Sequence, residues 1–322
     1  MPLLRTSRAQ SATISEMADA FCLKRRSPVS PFTRREFLKT SIAAGTLASV
    51  GTSSLHAAPP SATDTVTLGK CGVKVSRLAF GTGSDNGYVQ AALGQQEFSR
   101  LIHHAYDHGI RFFETAEAYV TPAMLGEALK PFPRETYQLM TKVTTDPGAD
   151  PRQRFDQMRR TSQTEYFDIM LLHWQHTPDW VSNTKHWQDG ILEAQSKKII
   201  IARGASVHGL PALRRMPDNH WLEVAMIRMN HNGTRMDGPT GADNNNPADV
   251  SEVVDHVRKV HSQGMGVVSM KLVGAGSFTR REDRQAAMRF AFRNAGVDAV
   301  TVGFKNTQEI DEAISNLNLA LA

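Results

Sequence analysis

The chain has 322 residues, 40% of them apolar and 21% charged, which is enough for one large core, and its formal net charge is +5. Residues 1–58 hold eight basic and three acidic residues and so account for all of that excess; the rest balances at 29 of each sign with no basic stripe, which argues against nucleic acid as a partner. Of the two cysteines, Cys22 falls in the basic N-terminal stretch and Cys71 stands alone beyond it, so the body cannot build a disulfide framework, a thiolate zinc site or an iron–sulfur cluster.

In chain order, Thr33-Arg34-Arg35-Glu36-Phe37-Leu38-Lys39 precedes a short, Gly- and Ser-diluted apolar stretch from Ser41 to Val50, followed by Leu55-His56-Ala57-Ala58. This succession resembles a bacterial twin-arginine export signal. The resemblance implies a leader over 1–58, the twin-arginine translocation machinery as a partner, and a periplasmic destination. The apolar stretch is too short and too polar for a stable membrane anchor, and no cysteine follows it closely enough to take a lipid. Residues 59–65 read as a linker.

From Val66 to Ser76, alternating apolar residues around Lys70-Cys71-Gly72 predict a β-hairpin. Strand-like and helix-like stretches then alternate. The predicted strands are Arg77–Phe80, Ile110–Glu114, Tyr137–Lys142, Phe167–His173, Lys198–Ala205, Trp221–Met229, Gly266–Met270 and Asp298–Val302. The predicted helices are Gln96–His108, Ala123–Leu129, Pro151–Ser162, Thr184–Ser196, Leu210–Met216, Asp249–Gln263, Arg281–Asn294 and Thr307–Leu321. A Gly/Asn-rich excursion, Asn232 to Pro247, interrupts the rhythm. Eight such units predict an α/β fold, a (β/α)8 TIM barrel over 66–322 preceded by the hairpin. An open doubly wound sheet would carry a G-x-G-x-x-G turn after its first strand, and Gly81-Thr82-Gly83-Ser84-Asp85-Asn86 does not continue that way.

Residues at the C-terminal ends of barrel strands face the active site. In that register Glu114, Tyr119, Lys142 and His173 share one mouth. A free phenol has a pKa of about 10, and a neighbouring ammonium is expected to pull it toward the working range. A carboxylate behind the lysine keeps it charged, and an imidazole alongside can hold a carbonyl oxygen near the phenol. The set suits protonation of a carbonyl oxygen while hydride reaches carbon, or the reverse.

Leu68-Gly69-Lys70-Cys71-Gly72-Val73, Phe113-Glu114-Thr115-Ala116-Glu117-Ala118-Tyr119, Thr141-Lys142, Leu171-Leu172-His173 and Gly303-Phe304-Lys305-Asn306, in that order, resemble the aldo-keto reductase superfamily. The resemblance implies an oxidoreductase that binds NADP or NAD in extended form and reduces a small aldehyde or ketone, or oxidises the alcohol, without a metal. By motif position Tyr119 is then the general acid/base, Lys142 its partner, His173 the residue that orients the carbonyl, and Glu114 stands where the family has aspartate, its extra methylene calling for a compensating shift. Gly81, Ser206, Lys271, Gly274, Gly276, Gly303, Lys305 and Asn306 are the implied cofactor contacts. The cofactor side departs from the family: Val207 replaces the asparagine that follows the serine, and Met229 stands at the position of the aromatic that stacks on nicotinamide. Family habit favours NADP, whereas Glu309 would repel a 2′-phosphate.

Trp174, His176 and His231 are candidate pocket residues for a polar carbonyl. Three other readings stay open. Glu114, His173, His176, His208 and His231 all fall near strand ends and allow a metal-dependent barrel hydrolase or isomerase. The missing carboxamide contacts allow a catalytically weakened dinucleotide-binding barrel. Lys142 or Lys271 also allows Schiff-base chemistry.

Overall fold

The computed structural model describes residues 59–239 and 250–322. The twin-arginine segment and the part of the Asn-rich excursion beyond residue 239 lie outside the described residues. Strands β1 (Thr65–Thr67) and β2 (Lys74–Ser76) pair antiparallel as the expected hairpin. Eight parallel strands follow: β3 (Leu78–Gly81), β4 (Phe112–Glu114), β5 (Gln138–Val143), β6 (Phe167–Gln175), β7 (Ile200–Val207), β8 (Val224–Arg228), β9 (Gly266–Met270) and β10 (Ala299–Val302). They pair in sequence order and β10 closes on β3, completing the (β/α)8 barrel. Among the described residues, no helix is long and apolar enough to cross a membrane.

Two apolar shells explain why these strands curl shut. The outer one packs the sheet on its helices through residues such as Phe98, Phe113, Trp180 and Leu317. The inner one fills the barrel with Ala79, Phe112, Met140, Ile169, Leu171, Ala202, Val224, Met226, Val268, Met270 and Ala299. Side chains alternate with period two along a strand. The inward face therefore steps from Phe112 to Glu114, Met140 to Lys142, Leu171 to His173, Met226 to Arg228 and Ala299 to Thr301. The barrel interior turns from hydrocarbon to polar within one step, at its C-terminal mouth.

The opposite end is closed by the hairpin, whose Leu68, Val73 and Val75 belong to the inner shell. The turn docks closely: Lys70 N–H donates to Gly264 O at 2.8 Å. A Cβ on Gly266 would sit 2.6 Å from that of Leu68, so only glycine admits this floor. Residues 61–64, read above as linker, fold back on the barrel. Ala62 is fully buried, accepts from Leu78 N–H at 2.9 Å, and donates to Asn318 Oδ1 at 2.7 Å.

Element boundaries differ from the sequence reading where local geometry intervenes. Lys198 adopts a left-handed φ of 59°, so β7 starts only at Ile200. Trp221 is held in a turn by Asn219 Oδ1 at 3.1 Å, which delays β8 to Val224. The helix expected over 281–294 is α-helical from Arg281–Arg289 and then widens into a π-turn from Phe290–Ala295. Strand β6 runs two residues past His173, with a register shift against β7 between Leu172 and Gln175 and a φ of +54° at Trp174.

Candidate active site

The loop after β4 is stitched onto the top of β5. Thr115 N–H donates to Met140 O and Glu117 N–H to Lys142 O, each at 2.9 Å, while Glu117 also binds Arg154 and accepts from Thr144 N–H at 3.0 Å. That path carries Tyr119 back over Lys142. Gly83 makes room for it, since a Cβ there would overlap the Tyr119 ring. Gly83 was not singled out by sequence reasoning; the signal was the Gly81-Thr82-Gly83 run after β3, which reads only as a strand stop.

At the centre stands the Lys142 ammonium, 1% exposed. It pairs with the Glu114 carboxylate, donates to Thr115 O at 2.8 Å and reaches the Tyr119 hydroxyl at 3.2 Å. An ammonium has three protons and no lone pair, so these three partners saturate it. The Tyr119 oxygen is consequently an acceptor toward Lys142, and its own proton is left to point elsewhere. The His173 ring stands edge-on to that of Tyr119, with centroids 5.6 Å apart. The extra methylene of Glu114 is accommodated: its second oxygen reaches Thr301 Oγ1 at 3.4 Å.

The electrostatics correct one expectation. Tyr119 is not made acidic: burial pushes its pKa above the ordinary phenol value, Lys142 offsets this only in part, and Glu114 adds to the rise. Burial works against the Lys142 charge, but Glu114 and Tyr119 outweigh it and hold that pKa above the lysine norm. His173 is lowered to about 3, by burial first and by Lys142 second. At neutral pH the mouth thus offers a protonated phenol, an ammonium and a neutral imidazole.

A cavity of about 560 Å³ runs from Tyr119 and Glu114, past Met226 and Met270, to Arg284, Glu312 and Asn316 at its far end. Of the predicted cofactor residues, Gly81, Lys271, Gly276, Gly303 and Lys305 line it. Gly274 lies in the same turn, where Gly274, Ala275 and Gly276 have φ of 60°, 53° and 92°. Ser206 is fully buried inside the barrel, off the cavity wall. Asn306 caps the helix from Thr307–Leu321, accepting from Glu309 N–H at 2.9 Å. Met229 does not occupy a stacking position; it is buried in the outer shell, and Met226 and Met270 face the cavity instead.

The predicted pocket residues spread around the rim. Trp174 is exposed with the His176 ring 4.8 Å away, and His231 packs on Phe278, a cavity residue, at 5.1 Å. The five residues of the metal reading do not form a ligand cluster. Among the described residues, the one group of three candidate ligands is His104, His108 and Asp311, on the helices outside the barrel.

Residues 77–317 match the model of the aldo/keto reductase family. The chain belongs to that family. A Glycine max protein named "Probable aldo-keto reductase 1" is 40% identical over 80 residues, covering 24% of this chain and 23% of that one. Methylglyoxal reductase DkgA of Escherichia coli O157:H7 is 30% identical over 125 residues, covering 38% and 45%. The chain thus spans less than half of the length of these curated relatives, 23% of one and 45% of the other. The fold is similar to that of an aldo-keto reductase from Klebsiella pneumoniae solved with NADPH, with a TM-score of 0.61 at 17% identity over 81% of this chain and 91% of that one.

The cavity of this aldo/keto reductase has a donor set that suits a dinucleotide. A glycine-rich turn and Lys271 can meet a pyrophosphate. Glycines keep the channel open: a Cβ on Gly81 would lie 2.6 Å from Thr301 Oγ1, and one on Gly303 would overlap Ser84 Oγ. The far end is less welcoming to extra negative charge. Arg284 is held by Glu312 at 2.6 and 2.9 Å, and Glu309 accepts from Lys305 N–H at 2.8 Å with Lys305 Nζ 3.8 Å away.

Proposed function

We propose that the chain is an NAD(P)H-dependent oxidoreductase that interconverts a small aldehyde or ketone and its alcohol. The observation that carries this reading is the saturated Lys142 ammonium, which leaves the Tyr119 proton free to donate into the mouth. When bound, the dinucleotide supplies hydride to the carbonyl carbon. Tyr119 donates its proton to the carbonyl oxygen, and the phenolate that results is stabilised by Lys142. Neutral His173 donates a hydrogen bond that holds the carbonyl oxygen near the phenol. Glu114 keeps Lys142 charged and aimed.

NADH is favoured over NADPH because the cations at the far end, Arg284 and Lys305, already have carboxylate partners in Glu312 and Glu309, which a 2′-phosphate would have to displace. Titrating the purified protein with each nucleotide is expected to give NADH the lower Kd by about tenfold, and Glu309→Gln to narrow the gap. NADPH binding as tightly as NADH would refute the preference. Tight binding with no turnover across a carbonyl panel would favour the weakened-barrel reading instead, which Val207, turned into the outer shell, makes worth testing.

Arg34-Arg35 and the stretch that follows support export by the twin-arginine pathway with the nucleotide already enclosed. Periplasmic protein, denatured to release small molecules, is expected to yield nucleotide. Accumulation of full-length protein in the cytoplasm alone, or Arg34→Lys/Arg35→Lys leaving its distribution unchanged, would rule export by this route out.

A further inference from the structure

The cavity described above runs along the β9–β10 side of the barrel. The opposite wall of the mouth, formed by the ends of β6 and β7, holds a second imidazole, that of His208. Its loop is rigidly tied: His208 N–H donates to Gln175 O and Gly209 N–H to Asp237 Oδ1, both at 2.7 Å. Arg228, the inward residue at the end of β8 and 1% exposed, contacts His208 Nδ1 through its guanidinium. A guanidinium has only donors. Nδ1 must therefore accept, and the ring proton is fixed on Nε2. Burial and the Arg228 cation keep the ring neutral. Among the described residues, Nε2 has one contact, a long one of 3.5 Å to Ser206 Oγ.

Beside it stands Trp174, which is 54% exposed although its backbone is held at φ +54° by the irregular end of β6. A bulky residue in that conformation is rare and costs energy unless the surroundings impose it. The effect is to stand the indole edge-to-face with His208, centroids 6.4 Å apart, directly after His173. One N–H donor of fixed tautomer and one exposed aromatic face, next to the carbonyl-orienting imidazole, form a surface for a ligand with both C–H and O–H groups.

We propose that His208, fixed by Arg228 and flanked by Trp174, is a donor subsite for a hydroxyl oxygen adjacent to the reacting carbonyl, so that the substrates are α-hydroxy aldehydes and ketones. This rests on the carbonyl-reductase reading above. His208 positions the substrate and takes no part in proton transfer.

Hydroxyacetone and butanone test it, because they have the same number of heavy atoms and differ by a hydroxyl in place of a methyl. The wild type is expected to favour hydroxyacetone by at least about tenfold in kcat/KM. His208→Leu should erase most of that ratio by raising KM for hydroxyacetone, with kcat and the butanone constants nearly unchanged. His208→Gln, which keeps an N–H donor, should recover part of it. Turnover of both ketones with equal efficiency by the wild type, or an unchanged ratio in a folded His208→Leu variant, overturns this inference alone. Wild-type protein that reduces neither ketone with either nucleotide overturns the carbonyl-reductase reading and this inference with it.

Discussion

Tyr119→Phe is expected to lower kcat for carbonyl reduction by about 10²–10⁴-fold, the range in which a positioned general acid contributes, while nucleotide Kd stays within a few-fold. The ring remains, so its packing over Gly83 and against His173 is kept and only the hydroxyl is lost. Without it the carbonyl oxygen gains hydride-driven charge with no proton at hand, and Lys142 loses its third partner. The pKa directions add a second readout. Tyr119 is raised and His173 is lowered to about 3, so neither changes protonation between about pH 5 and 9. In the reductive direction kcat/KM should be flat across that window. Steady-state rates with a fixed carbonyl decide the matter: a Phe variant within fivefold of wild type, or a steep titration near pH 7, would remove Tyr119 from its assigned role.

Lys142→Met should cost about 3–5 kcal/mol of folding stability as well as activity. Lys142 and Glu114 are 1% and 3% exposed, and without the ammonium the carboxylate is a buried charge whose remaining side-chain partner is Thr301 at 3.4 Å. Removing both charges is less damaging than removing one, because no buried ion is then left uncompensated. The double variant Lys142→Met/Glu114→Gln is therefore expected to regain more than half of the lost stability in urea unfolding and none of the activity. That split separates the lysine's structural contribution from its catalytic one. A single variant as stable as wild type would mean that the ion pair is not the buried contact seen here.

The fold was legible in the sequence because each strand is short, apolar and bracketed by glycine or by a helix, and eight repeats of that pattern have few other ways to bury themselves. The proximity of Glu114, Lys142, Tyr119 and His173 was legible for the same reason, since parallel strands bring their C-terminal ends to one mouth. What was hidden depends on non-local packing. The direction of the Tyr119 shift turns on burial against attraction, which no spacing reveals. Met229 looked like a ring substitute by position, yet β8 ends one residue earlier and turns it outward. His208 sat in the sequence as one more histidine; its tautomer is set by Arg228, twenty residues away.

The floor of the barrel sets a limit at the other end of the molecule. Ala62 is wedged under the sheet and hydrogen-bonded to Asn318 at the far terminus. If the leader proposed above is removed by a protease, a cut upstream of Ala62 leaves the folded unit intact, whereas one a few residues later would draw out the residue that ties this segment to the last helix.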